Sequence, residues 1–294
     1  DEVIIEDEND FSDDSSEEEP DIEITPDDED NSADAEEITV EEDTEFDDST
    51  SGEEATFDTN APLKEGTCGK NLTWMISADH ILYIDGTGDM DDWGQSRAPW
   101  RFSVNNPLYY FDKAVISEGV TSIGDYAFEG TGISSVNIPS TVKKIGKYAF
   151  TGVKFEGTSA LKLNSNIEEI GEHAFSGSGL TSLNLKDLHL DKVPDGLVIN
   201  CEKLMSFTFP SGVKEIGEYA FADCSSLSVI NIPDGITYIG GAAFENCTGL
   251  TNVYIPSTVS YMDYIKERNE QLHGVFTGCR NLKTAGNGST YSIN

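Results

Sequence analysis

No lysine or arginine occurs between Asp1 and Asn60, a stretch that holds 29 aspartates and glutamates. Clusters such as Glu17–Glu19 and Asp27–Asp30 repel one another, and only isolated aliphatics such as Ile4, Ile5 and Ile24 interrupt them. Such a segment cannot bury enough apolar surface to offset its conformational entropy, so residues 1–62 are expected to be a disordered acidic spacer. Loose carboxylates without a glycine-turned loop bind calcium weakly, and no metal is expected there. Basic residues are scarce throughout: 18 against 55 acidic, for a net charge of −37, of which residues 61–294 carry only −8. Without a stripe of Lys and Arg the chain has no means of tracking a phosphate backbone, which excludes nucleic acid as a partner.

Other absences narrow the reading further. No apolar run approaches the roughly 18 residues needed to cross a bilayer. No positively charged leader with an apolar core opens the chain. That is the pattern of a secreted protein whose signal peptide has been removed, although a cytosolic protein could begin in the same way. Cysteines number five, an odd count that excludes a fully paired disulfide framework. The four histidines fall in no HExxH pattern, no serine sits in a G-x-S-x-G elbow, and no glycine-rich phosphate loop precedes a helix. Enzyme readings therefore lack a nucleophile paired with a base, and no catalytic residue and no cofactor is expected.

What the sequence does contain is a sentence written twice. VKEIGEYAFADCSSLSVINIP, starting at Val213, recurs as ITYIGGAAFENCTGLTNVYIP, starting at Ile236. A period of about 20 to 29 residues with fixed apolar slots and one short strand per unit is the signature of a leucine-rich-repeat solenoid. Coils start at Val120, Val142, Ile167, Leu190, Val213, Ile236 and Val259, a spacing that is constant from Ile167 onward and longest between Val142 and Ile167. Their strands are expected at 114–116, 136–138, 161–163, 183–185, 207–209, 230–232 and 253–255. Each has its outer two residues inward and its middle residue outward, by the period of two. Pro139, Pro210, Pro233 and Pro256 end four of them, because proline cannot donate to a ladder.

After the turn comes Ile-Gly-x-x-Ala-Phe. Gly124, Gly146, Gly171, Gly217 and Gly240 suit positive φ or close approach of a neighbouring coil. The Ala-Phe pair is expected on a short helical turn, with Phe128, Phe150, Phe175, Phe221 and Phe244 forming an internal spine. Coil four departs, with Pro194 for the glycine and Val198 for the phenylalanine. Coil seven carries a nine-residue insertion, expected as a short surface helix. Residues 284–294 are expected either to form an abbreviated cap or to lead into further chain.

Ahead of the array, alternating runs at 72–76 and 81–84 around a polar turn predict a β-hairpin, with Trp74, Trp93 and Trp100 large enough to plug the open end of the first coil. Asp85, Asp89, Asp91 and Asp92 do not match EF-hand spacing and are read as a solvated turn. The domain scheme is thus a spacer at 1–62, a cap region at 63–112 and a solenoid of about seven coils at 113–294. Cys201, Cys224, Cys247 and Cys279 share one slot of successive coils, where the earlier coils have Thr131, Val153 and Ser178. A ladder spreads ligands along a line instead of converging them, so these are read as buried thiols and not as a zinc site. His173 falls in a column with Tyr126, Tyr148 and Tyr219, a position that repeat geometry explains without catalysis.

The string V-x-x-I-G-x-x-A-F-x-x-C-x-x-L, continued by a short strand ending in I-P, resembles the BspA-like, or treponemal-type, leucine-rich repeat, and the segment from Gly66 to Trp100 resembles the N-terminal cap that precedes such arrays in many Gram-positive gut and oral bacteria. The resemblance covers about residues 64 to 285. It implies a secreted or cell-surface protein without catalytic activity, of a kind in which some members bind host matrix proteins such as fibronectin or fibrinogen. No wall anchor or membrane segment is visible. The expected function is therefore binding of a protein or glycan partner on a host or bacterial surface. The outward column Asn137, Lys162, Asn184, Thr208, Asn231 and Tyr254 is the expected contact face, and Tyr254, with Tyr261 and Tyr264 nearby in sequence, supplies the aromatic anchor. The alternative is a structural module that presents a catalytic or anchoring domain absent from this chain.

Overall fold

The computed structural model describes residues 62–94, 97–101, 111–157, 161–266 and 272–285. The acidic spacer up to residue 61 and the C-terminal cap fall outside these residues, apart from the short strand Thr284–Ala285. The array is preceded by β1 (Lys64–Gly69), β2 (Leu72–Ile76) and β3 (Ile81–Gly86), an antiparallel set in which the expected hairpin, β2 with β3, gains β1 as a third strand. Next come β4 (Gly88–Asp89), β5 (Lys113–Ile116), β6 (Val120–Ile123), β7 (Ser135–Asn137), β8 (Lys144–Ile145), β9 (Leu161–Lys162) and β10 (Glu169–Ile170). They are followed by β11 (Ser182–Asn184), β12 (Lys192–Val193), β13 (Ser206–Thr208), β14 (Glu215–Ile216), β15 (Tyr238–Ile239), β16 (Asn252–Val253) and β17 (Tyr261–Met262). The last three are β18 (Tyr264–Lys266), β19 (Leu272–Gly274) and β20 (Thr284–Ala285).

Each coil contributes to two parallel ladders instead of one. The front ladder runs β3-β5-β7-β9, resumes as β11-β13, continues through an isolated bridge between Asn231 and Tyr254, and ends as β16-β20. The side ladder runs β4-β6-β8-β10 and then β12-β14-β15-β17. The side strands are hidden in the sequence because most are only two residues long, too short to show alternation. Their inward residues, Ile123, Ile145, Ile170, Val193, Ile216 and Ile239, are the isoleucines and valine that precede the glycine or proline slot.

The turn after that slot corrects the expected helix. No α-helix occurs among the described residues; the Ala-Phe segment is a run of linked turns. Tyr126, Tyr148, His173, Tyr219 and Ala242 take left-handed φ of 53 to 60°, and this conformation breaks any continuing helical ladder. Further along each turn, a second left-handed slot is filled by Gly130, Gly152, Gly177, Asn200, Asp223, Asn246 and Gly278, the residue types that tolerate it best. The N–H groups then alternate between two uses. In coil one, Ala127, Glu129 and Thr131 donate back to Gly124, Tyr126 and Phe128, whereas Tyr126, Phe128 and Gly130 donate across to Lys147, Ala149 and Thr151 of coil two at 2.7–2.8 Å. The turn edge is thus a third inter-coil ladder.

Close approach, and not positive φ, explains the glycine slot. A Cβ at Gly146 would lie 2.5 Å from the Asp125 backbone nitrogen, one at Gly171 2.5 Å from that of Lys147, and one at Gly240 2.6 Å from that of Glu218. The N–H groups of Gly146, Gly171, Gly217 and Gly240 donate back to Ile123, Ile145, Val193 and Ile216 at 2.8–2.9 Å. Inside, the phenylalanine spine stacks as expected, Phe128 on Phe150, Phe150 on Phe175 and Phe221 on Phe244, with centroids 5.0 to 5.6 Å apart. Val198 interrupts it, and Phe207 and Phe209 of the following coil pack against Phe221 instead. Each fully buried Phe contributes roughly 1.5–3 kcal/mol.

At the N-terminal end, Trp100 packs edge-on against Trp74 and Trp93 and tilts over Phe128, while its indole N–H donates to Ala127 O at 2.9 Å. The coil-seven insertion is bounded by an antiparallel pair, β18 with β19, and not by a helix. Residues 267–271, between the two strands, lie outside the described residues. Gly241 allows this pair to sit close: a Cβ there would meet the Tyr264 carbonyl carbon at 2.6 Å. The His273 ring nitrogen Nδ1 and Glu245 Oε1, 2.6 Å apart, tie the pair to coil six.

Gly240→Ala is expected to cost about 1–3 kcal/mol, the usual penalty for overpacking a closed site. Chemical denaturation of the two proteins measures it.

Candidate functional site

All six residues of the outward column are exposed and stand on the front ladder, each flanked by residues that point into the core. Alternation forces this: Val136 and Ile138 bury, so Asn137 faces water, and the same holds for Asn184 between Leu183 and Leu185. The ladder register places Asn137 beside Lys162, Asn184 beside Thr208, and Asn231 beside Tyr254. Val115 continues the column toward the cap, opposite Tyr83. Tyr254 is 57% exposed, and Met205 and Val229, at 59% and 58%, add apolar side chains to the same ladder region, a feature that the repeat pattern does not reveal. Tyr261 belongs to the side ladder, stacked on Tyr238 at 5.9 Å, and Tyr264 to the insertion, so the three tyrosines stand on three different elements.

The column is not uniform. Between β9 and β11 the front ladder lapses, and a cleft of about 230 Å³ opens there. Lys162, Asn164 and Ser165 line it on one side and Thr181, Ser182, Asn184 and Asp187 on the other, over Leu163 and Leu188. Two of its amides already have structural work. The Asn164 Nδ2 donates to Pro139 O and Val142 O, and the Asn184 Oδ1 accepts from the Lys186 N–H. The Lys162 ammonium, the Asp187 carboxylate and three hydroxyls supply the rest of the polar lining. A cleft of this kind can hold a polar group by hydrogen bonding and charge.

The remaining conspicuous residues have structural partners. Thr121 donates to the Asp89 carboxylate at 2.6 Å, and the Asp92 carboxylate accepts the Asp125 N–H at 2.8 Å, so two of the clustered acids join the cap to coil one. Among the described residues no group of three or more His, Cys, Asp or Glu side chains is placed to hold a metal ion. His173 stacks on Tyr148 at 4.7 Å, continuing the Tyr126–Tyr148 pair, and burial lowers its pKa. Lys143, Lys144 and Lys147 of coil two pair with Glu168, Glu169 and Glu172 of coil three, all at exposed positions where each pair contributes little.

All five cysteines are unpaired and buried. In the ladder each thiol donates to a carbonyl of the preceding coil: Cys201 to Phe175, Cys224 to Val198, Cys247 to Phe221 and Cys279 to Phe244, at 2.9–3.2 Å. Burial pushes Cys68 up to about 12 and Cys201 and Cys279 up to about 11, and it raises Cys224 and Cys247 as well. A buried thiol without thiolate character is neither a nucleophile nor a metal ligand.

Short parallel strands repeated coil by coil, a phenylalanine spine and an exposed polar column define a leucine-rich-repeat solenoid. The model of the BspA type leucine rich repeat region matches residues 106–159 and 154–283 in six copies, and the chain belongs to that family. Among solved structures it is similar to a leucine-rich repeat protein from Eubacterium ventriosum (18% identity, TM-score 0.42, covering 76% of this chain and 72% of that one). It is also similar to one from Bacteroides ovatus (21%, 0.42, 74% and 69%) and to the T. pallidum leucine rich repeat protein (22%, 0.37, 75% and 81%). Comparison with curated proteins finds no match. Among the described residues no helix is long and apolar enough to cross a membrane.

Iodoacetamide at pH 8 is expected to leave all five thiols of the folded protein unlabelled and to label all five in denaturant, as counted by mass spectrometry. Cys224→Val, which copies Val153 of coil two, is expected to cost less than about 1.5 kcal/mol, the range for volume-conserving replacements.

Proposed function

We propose that this protein is a non-catalytic binding module, secreted or held at a cell surface, that recognises a protein or glycan of a host or bacterial surface through its front ladder. Family membership supports a non-catalytic surface role, because the repeated residues of such an array are spent on the core and leave recognition to the positions between them. The observation that carries the proposal is the outward column, in which Asn137, Lys162, Asn184, Thr208, Asn231 and Tyr254 vary along the array while their flanking residues stay apolar. Constant neighbours with variable exposed positions are what a recognition surface on a fixed scaffold requires. The cleft beside Lys162 and Asn184 supplies concavity, and Tyr254 with Met205 and Val229 supplies apolar area. Together they give the polar and aromatic parts from which interface anchors are built.

The test is surface plasmon resonance against immobilised matrix glycoproteins and a glycan array, followed by Asn184→Arg and Tyr254→Ala on whichever surface binds. Each substitution is expected to weaken binding about tenfold or more, equivalent to about 1.4 kcal/mol. Unchanged affinity in both variants sinks the front-ladder reading.

A further inference from the structure

Coils three and four are joined differently from the coils around them. Among the described residues both strand ladders stop at this junction: the front ladder between β9 and β11, and the side ladder between β10 and β12. At the coil five to six junction, where the front pairing also lapses, the side ladder continues from β14 to β15. No ion pair crosses from coil three to coil four among the described residues. Lys192 turns to Asp195 of its own coil, whereas coils two and three share three Lys–Glu pairs. Only the turn edge continues, through the N–H groups of His173, Phe175 and Gly177 to Asp195, Leu197 and Ile199 at 2.7–3.0 Å, with Cys201 Sγ donating to Phe175 O alongside.

Pro194 accounts for the interruption of the side ladder through its backbone. It holds the slot in which Gly146, Gly171, Gly217 and Gly240 donate to the preceding coil, and proline has no N–H, so the matching bond to Ile170 O cannot form. A Cβ alone does not interrupt the ladder: Asp263, in the same slot of coil seven, carries one, yet it donates its N–H to Ile239 O at 2.9 Å and β15 pairs with β17 there. Val198, one turn on, removes the spine ring that would otherwise stack across the junction.

We infer that the junction of coils three and four is a hinge, with the turn edge as its axis, and that flexing there opens and closes the Lys162–Asn184 cleft. Two ladders are free to part while the third holds. The cleft lies on the front, away from the axis, where a given rotation moves the walls furthest. The control of binding rests on the recognition role proposed above; the hinge itself does not. A joint of this kind lets two stiff blocks of repeats adjust to a partner without unfolding any coil.

Hydrogen exchange of the full chain is the first test. The His173, Phe175 and Gly177 amides lie on the axis and are expected to stay within about tenfold of the protection of Tyr148, Phe150 and Gly152 or Tyr219, Phe221 and Asp223, their equivalents in neighbouring coils. Spin labels at Lys144→Cys and Tyr261→Cys, five coils and about 24 Å apart at ~4.8 Å per coil, report the bend. Their distance distribution is expected to be broad and to narrow in Pro194→Gly, which restores the N–H. Loss of protection at the His173, Phe175 and Gly177 amides, or a narrow distribution unaffected by Pro194→Gly, overturns the hinge. A hinge that persists while Asn184→Arg leaves binding unchanged overturns its control of binding and the front-ladder reading, but not the hinge. Loss of binding in Asn184→Arg with no hinge motion leaves the front-ladder reading standing and removes the hinge.

Discussion

The structure depends on how closely one coil can approach the next. Three sets of backbone hydrogen bonds tie neighbouring coils: the front ladder, the side ladder and the turn edge. All of them need adjacent backbones at strand-pairing distance, about 4.8 Å. The glycine slot permits this, since a Cβ at Gly146, Gly171, Gly217 or Gly240 would lie 2.3–2.6 Å from the backbone or side chain of the coil before. Where the slot holds Pro194, two of the three ladders stop. The one coil whose slot lacks an N–H lies beside the cleft in the middle of the exposed column.

Left-handed residues in the turns are the second consequence of the same constraint. Holding tyrosine or histidine in the left-handed region costs about 1–2 kcal/mol per residue. The conformation persists because it turns alternate N–H groups outward, along the solenoid axis, where the next coil's carbonyls await them. A helix would have used those donors internally and left this edge of the coils joined by side chains alone. The aromatic column Tyr126–Tyr148–His173 and the acidic residues around it are products of this arrangement and carry no chemistry that the fold leaves unexplained.

The cysteine ladder follows the same logic. Each thiol fills a small buried volume and donates to a carbonyl one coil back, a position that threonine, valine and serine occupy in the earlier coils. Its repetition reflects a shared environment and not a shared ligand. The acids of the cap act similarly: Asp92 receives the N–H of Asp125, and Asp125 in turn receives that of Lys147, so the cap offers coil one the same acceptor that coil one offers coil two.

The sequence alone determined the repeat length, the apolar slots, the phenylalanine spine, the hairpin of the cap and which residues face outward on the front strands. All of these follow from periodicity, and periodicity is local. It also marked coil four as irregular, through Pro194 and Val198, and showed the longer step from Val142 to Ile167. Tertiary structure alone decided that the turns are not helical, that a second strand exists in each coil, that the insertion is bounded by paired strands, and that the irregular coil lies beside a cleft. Each of these turns on where an N–H finds its acceptor, and the acceptor lies a whole coil away. The repeat spacing reveals which positions are equivalent but not which of their backbone groups meet. That is why Lys162 and Asn184 were legible as exposed positions, while the gap between them was not.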